Sequence, residues 1–114
     1  LLRDNTRPLS DGVQFVQENL SVLNAGNVRD EDIQHIGGQS FQTLVGTCLR
    51  EYDLTIVDTP PANRFADCRR IASIMHYALV VACRERSYVS DVKQLVSELQ
   101  FEKATVVGTF LNDR

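Results

Sequence analysis

Asp58 stands at the end of an apolar run, Leu54-Thr55-Ile56-Val57, and is followed by Thr59-Pro60-Pro61. A carboxylate placed there has two chemical uses. It can organise a hard divalent cation such as Mg²⁺, which keeps several waters and needs one or two carboxylates. It can also accept hydrogen bonds within its own turn. Pro60 and Pro61 have fixed φ and lack an N–H, so they stop the run and stiffen the loop that presents the acid. Spacing alone leaves both uses open.

Other polar groups follow apolar runs in the same way. Asn24 and Gly26 close the run Leu20–Leu23, Arg84 and Glu85 follow Tyr77–Cys83, and Asn112 and Asp113 end the run that begins at Ala104. Arg64, Arg69 and Arg70 form a basic group that could meet phosphate or an acidic partner, or lie solvated at a helix end. Cys48, Cys68 and Cys83 are odd in number, show no CxxC spacing and sit in apolar contexts, which reads as reduced, buried thiols. His35 and His76 fall at no zinc-ligand spacing to them. His35 lies in an acidic loop and reads as solvated; His76, just before a strand, reads as structural. No Ser-His-Asp or Cys-His arrangement follows from the spacing.

The elements that must hold these groups follow from periodicity. Ser10 or Asp11 is expected to cap a short helix carrying Val13 and Val16. Leu20–Leu23 reads as a strand, and the acidic stretch to Gly37-Gly38 as a surface loop. Phe41, Leu44, Val45, Cys48, Leu49 and Tyr52 repeat at three and four, so a helix is predicted over Gln39–Tyr52, with Ser40 as its cap. Tyr52–Asp58 reads as a strand buried on both faces. Cys68, Ile71, Ala72 and Met75 mark a second helix, capped by Asp67. Tyr77–Cys83 reads as a strand, and a third helix opens at Ser87 with Val89, Val92, Leu95, Val96 and Leu99 inward. Ala104–Asn112 is the last strand. Strands and helices alternate, which predicts an α/β fold: a parallel sheet with helices on both faces, in one domain over residues 1–114. Ligands of such sheets bind beyond the carboxyl ends of the strands, where the polar groups stand.

The bulk numbers exclude several classes. The 114 residues are 43% hydrophobic and 24% charged, which fits a folded domain and not a disordered chain. No apolar run approaches the ~20 residues of a membrane-spanning helix. The net charge of -3 offers no broad attraction to nucleic acid or an anionic membrane. No signal-peptide pattern, repeat or low-complexity tract is read in these residues. The chain opens Leu1-Leu2-Arg3 and Met75 is its one methionine, which suggests a portion of a longer protein.

The stretch "YDLTIVDTPPANRFAD" resembles the Walker B region of the bacterial tyrosine kinases (BY-kinases), within the MinD/ParA-like deviant P-loop ATPases. "PLSDGVQFVQENLSVLNAG" is similar to that family's short helix and strand, "SFQTLVGTCLREYDLTIVDTPP" to its helix leading into the aspartate strand, "ALVVACRERSYVSDVKQLVSEL" to its next strand-helix unit, and "VVGTFLND" to its last strand. The resemblance implies a P-loop NTPase-like fold, ATP and Mg²⁺ as cofactors, and work in exopolysaccharide or capsule chain-length control. It implies that Asp58 organises Mg²⁺ and acts at the catalytic centre, that Asn112 reads the adenine edge, and that Arg84 and Pro60 lie at the nucleotide rim. Asp67 matches a frequent acidic position of the family as well as a cap. The implied partners are a membrane polysaccharide co-polymerase or a second copy, with no nucleic acid and no direct membrane insertion. The implied location is cytoplasmic, at the inner membrane face through a partner or a preceding segment.

The sequence departs from the family in its phosphate grip. It contains no G-x-x-x-x-G-K-[ST]; its lysines are Lys93 and Lys103, and Gly37-Gly38 is followed by Gln39-Ser40. "RDNTRP", Arg3 to Pro8, is a faint echo of the family's second acidic motif. Tyr52, Tyr77 and Tyr88 are dispersed where the family has a C-terminal cluster, and Tyr52 and Tyr77 read as core residues. Phosphoryl transfer rests on positioning and neutralising the phosphates, so this stretch alone is expected to be inactive. Two readings stay open: part of a kinase or ATPase domain, or a non-catalytic interaction module on the same fold. A response-regulator-like domain fits less well, since Asp58 stands alone and Lys103 precedes its strand; a DNA-partitioning ATPase lacks the basic charge. A sheet without the family's phosphate-loop strand is expected to have unpaired edges, repaired by rearrangement, dimerisation or another segment.

Overall fold

A computed structural model describes residues 12–24, 39–62 and 67–113. Ser10, Asp11, Gly26, His35, Gly37, Gly38 and Arg64, singled out above, lie outside them. The described elements are β1 (Val13–Gln17), β2 (Leu20–Leu23), α1 (Gln39–Glu51), α2 (Asp67–Met75), β3 (Tyr77–Cys83), α3 (Val89–Phe101) and β4 (Thr105–Asn112). The chain divides into two compact units, Leu1–Ile56 and Val57–Arg114.

In the first unit, β1 and β2 form an antiparallel hairpin, Val13 opposite Leu23 and Phe15 opposite Ser21. The helix expected around Val13–Val16 is therefore a strand. The reason is local: Val13, Phe15 and Val16 favour extended backbone, and Glu18-Asn19 makes a two-residue connection with Asn19 at φ 62°, a left-handed conformation that asparagine tolerates. Helix α1 turns Phe41 and Val45, four residues apart, inward. It begins at Gln39, so Ser40 lies in its first turn and not before it. Thr43 Oγ1 donates to the Gln39 carbonyl at 3.0 Å and Thr47 Oγ1 to the Thr43 carbonyl at 3.1 Å.

The stretch after α1 is the second correction. Residues 54–61 form no regular strand. Leu54 is 76% and Ile56 81% exposed, so the run is not buried on both faces. Thr55 and Val57, alternating with them, are half-buried, and Thr55 Oγ1 is buried without a hydrogen-bond partner. The alternation has the period of a strand, but no strand of the described residues supplies the ladder that would fix it.

In the second unit, β3 and β4 pair in parallel, from Tyr77 opposite Thr105 to Cys83 opposite Asn112. The register shifts between Ala78 and Leu79 because β4 carries an extra residue there, Val107. The crossover is α3. Its Leu99 is 4% exposed and packs with Ala72 of α2, Val80 of β3 and Ala104, flanked by Ala78, Val92, Leu95, Val96 and Val106. An ion pair from Arg69 to Glu98 at 3.4 Å joins α2 to α3 at the surface. Both helices thus lie against the sheet face that carries Val80. The opposite face shows Tyr77, Leu79, Val81, Val107 and Phe110, all 60% exposed or more. Tyr77 is exposed, not a core residue.

Two left-handed residues make the corners. His76, at φ 68°, ends α2: its N–H donates to the Ala72 carbonyl at 2.8 Å and its own carbonyl accepts from Thr105 N–H at 2.8 Å. Lys103, at φ 63°, ends α3 beside an Ala104 N–H bond to the Leu99 carbonyl at 3.0 Å.

Candidate functional site

Parallel β3 and β4 end side by side, and that brings two of the expected site residues together. Cys83 pairs with Asn112, and the next amide, Arg84 N–H, donates to the Asn112 carbonyl at 2.8 Å. The chain then turns tightly. Arg86 N–H and Ser87 N–H both donate to the Cys83 carbonyl, at 3.1 and 2.9 Å, and Cys83 N–H donates to Ser87 Oγ at 2.9 Å. Glu85 takes φ 65° at the tip. Tyr88 caps α3 with extended backbone and no side-chain cap bond, so the helix begins at Val89, two residues after the serine expected to start it.

This turn holds Arg84 over the end of β4. Arg84 Nη1 donates to Asp113 Oδ1 at 2.9 Å, with the side chains 61% and 74% exposed. Arg84, Glu85, Arg86 and Asp113 line an open cleft of about 530 Å³. Two guanidinium groups and two carboxylates balance its charge. Asp113 was visible in the sequence as a strand-end residue; its pairing with Arg84 was not. The signal that could have found it is opposite charge just past the ends of two strands joined by a single crossover helix.

Asp58 and Pro60 stand elsewhere in the unit, on the extended stretch before α2, and both are exposed. No hydrogen bond or ion pair among the described residues ties Asp58 to Arg84 or Asn112, and neither Asp58 nor Pro60 lines the cleft. The Asp58 carboxylate makes no hydrogen bond or ion pair among the described residues. Asp67 is the first helical residue of α2, where a carboxylate favours the positive end of the helix.

The thiols are quiet. The three cysteines form no disulfide. Burial, then the nearby Glu51 charge, pushes the Cys48 thiol above its ordinary value. Burial likewise raises Cys68. Among the described residues no cluster of three His, Cys, Asp or Glu could hold a metal ion, and no helix is long and apolar enough to cross a membrane.

No family model matches the chain. CapB of Staphylococcus aureus, named as a tyrosine-protein kinase, is 31% identical over 109 residues. The match spans 95% of this chain and 48% of CapB. The chain is similar to the bacterial tyrosine kinases along nearly its whole length. It is also 23% identical over 95 residues to the tyrosine-protein kinase CpsD of Streptococcus pneumoniae serotype 4, across 83% of itself and 42% of CpsD. EpsB of Ralstonia solanacearum is 33% identical over 69 residues, 60% of this chain and 9% of EpsB. In fold, the VpsO kinase domain superposes with a TM-score of 0.88 at 22% identity, over 99% of this chain and 56% of that one. The chain thus spans about half the length of CapB and CpsD, and its α/β class with a small parallel sheet agrees with the expectation.

Proposed function

We propose that this chain is part of the ATP- and Mg²⁺-binding domain of a tyrosine kinase that serves exopolysaccharide or capsule synthesis. The observation that carries the reading is the joined end of β3 and β4, where the Arg84 amide meets the Asn112 carbonyl at 2.8 Å beside an open, polar cleft. That is the position at which open α/β sheets take their ligands. Asn112 would read the purine edge, since a carboxamide pairs as donor and acceptor with adenine N6 and N7. Arg84 and Pro60 would border the nucleotide. Asp58 would hold Mg²⁺ through its waters, and the ion would neutralise phosphate charge.

The remaining work is to grip the phosphates. These 114 residues hold no lysine-bearing glycine loop, so phosphoryl transfer needs that loop from another segment or another chain. The reading places the protein on the cytoplasmic side, recruited by a membrane co-polymerase or by a second copy. A titration of the ¹⁵N-labelled chain with Mg-ATP tests it: the amides of Arg84, Asn112 and Asp113 shift together, at millimolar nucleotide. Unmoved amides across the unit would remove the nucleotide reading. The absent lysine favours a second reading, a non-catalytic module that contacts the co-polymerase; that outcome would leave it standing.

A further inference from the structure

Resting on the nucleotide reading, we infer that Ser87 is a positioning residue of the site: its hydroxyl clasps the turn after β3 and so holds Arg84 at the rim beside Asn112. Cys83 grips Ser87 with both of its backbone groups. Its N–H donates to Ser87 Oγ at 2.9 Å, and its carbonyl accepts from Ser87 N–H at 2.9 Å and from Arg86 N–H at 3.1 Å. Cys83 stands opposite Asn112 in the sheet, and the next amide, Arg84 N–H, donates to the Asn112 carbonyl at 2.8 Å. The clasp therefore ties the far end of the turn to the strand residue that is itself registered against Asn112.

The turn needs such a hold. Glu85 stands at φ 65°, a left-handed conformation that a residue with a Cβ keeps only where its surroundings impose it. Helix α3, which follows, gives no side-chain help, since its cap Tyr88 makes no side-chain cap bond. The exposed bond from Arg84 to Asp113 is too weak to fix the backbone by itself. A turn released from the Ser87 hydroxyl takes other paths away from β3, and Arg84 then spends less time over the end of β4. Apparent affinity falls with the fraction of molecules in which the rim is assembled. The effect passes through Arg84, which lines the cleft, whereas Ser87 does not.

The test uses the full chain as wild type, Ser87→Ala, Ser87→Thr, Arg84→Met and the Ser87→Ala, Arg84→Met double variant. Mg-ATP dissociation constants are read from ¹⁵N shift titrations, beside a urea midpoint for each protein. Ser87→Ala is expected to weaken Mg-ATP binding about fivefold, the weight of one neutral hydrogen bond. Ser87→Thr keeps an Oγ acceptor and is expected to restore the wild-type constant. Once Arg84→Met has removed the guanidinium, nothing remains to be positioned, so adding Ser87→Ala should change the constant by less than about twofold. A purely structural serine would lower the urea midpoint and leave the constant unchanged. That result overturns the inference and leaves the nucleotide reading in place. So does an equal loss from Ser87→Ala in both backgrounds, a Ser87→Thr no tighter than Ser87→Ala, or an Arg84→Met that binds as the wild type does. No shift of the wild type with Mg-ATP overturns both.

Discussion

Leu99→Ala and Leu79→Thr should separate the two faces of the β3–β4 sheet. Leu99 is 4% exposed, in the cluster with Ala72, Val80 and Ala104. Truncating it removes apolar atoms from a packed site and leaves a cavity, for a cost of about 3 kcal/mol within the usual ~2–5 range. Leu79 lies one residue from Val80 on the opposite face, 61% exposed. Threonine keeps strand preference there, so the change stays within about 0.5 kcal/mol. A domain of this size has about 5–15 kcal/mol in all, so the first loss is a large fraction and the second is not. Urea unfolding followed by far-UV circular dichroism reads the difference. With a slope of about 2 kcal/mol/M, Leu99→Ala lowers the midpoint by about 1.5 M and Leu79→Thr by no more than about 0.3 M. Equal shifts would mean that the Leu79 face is packed in solution, and the assignment of α2 and α3 to the single covered face would fail.

Three further outcomes follow from the same geometry. Gly46→Ala, inside α1, should raise stability by about 0.5–1 kcal/mol by urea midpoint, since an added Cβ meets nothing nearer than Arg50 Nη1 at 3.8 Å. His76→Gly should add about 0.5 kcal/mol, because φ 68° suits glycine and both hydrogen bonds at His76 are made by its backbone. Cys48 and Cys68 should alkylate more slowly than a model thiol at pH 9. Their folded values lie above the ordinary 9.0, so the folded state holds protons the unfolded state has lost, and stability should fall as pH rises above about 9.

Much of the fold was legible in the sequence because α1, α2 and α3 carry apolar residues at three and four over nine residues or more, and β3 and β4 are continuous apolar runs between them. The two misreadings have separate causes. Val13-Gln14-Phe15-Val16-Gln17 mixes periods of two and three, and the deciding feature, the turn at Glu18-Asn19, is weaker than an Asn-Gly signal. Leu54–Asp58 has a strand's composition, but a strand is defined by its neighbour, and composition says nothing of whether one is present. At the site, Arg84 and Asn112 were legible as polar groups that follow apolar runs, and the parallel register that sets Cys83 opposite Asn112 brings those two ends together. The partnership of Arg84 with Asp113 depends on a turn with Glu85 in the left-handed region, which no local pattern announced.

We propose that Asp58 and the β3–β4 rim are two parts of one Mg-nucleotide site, and the direct measurement is ATP binding by wild type and Asp58→Ala, with and without Mg²⁺. The account predicts that the wild type binds more tightly with Mg²⁺ and that Asp58→Ala loses that gain, weakening Mg-ATP binding about tenfold while binding of metal-free ATP at Arg84 and Asn112 stays the same. Equal Mg-ATP binding by the two proteins, or none by either, would contradict it.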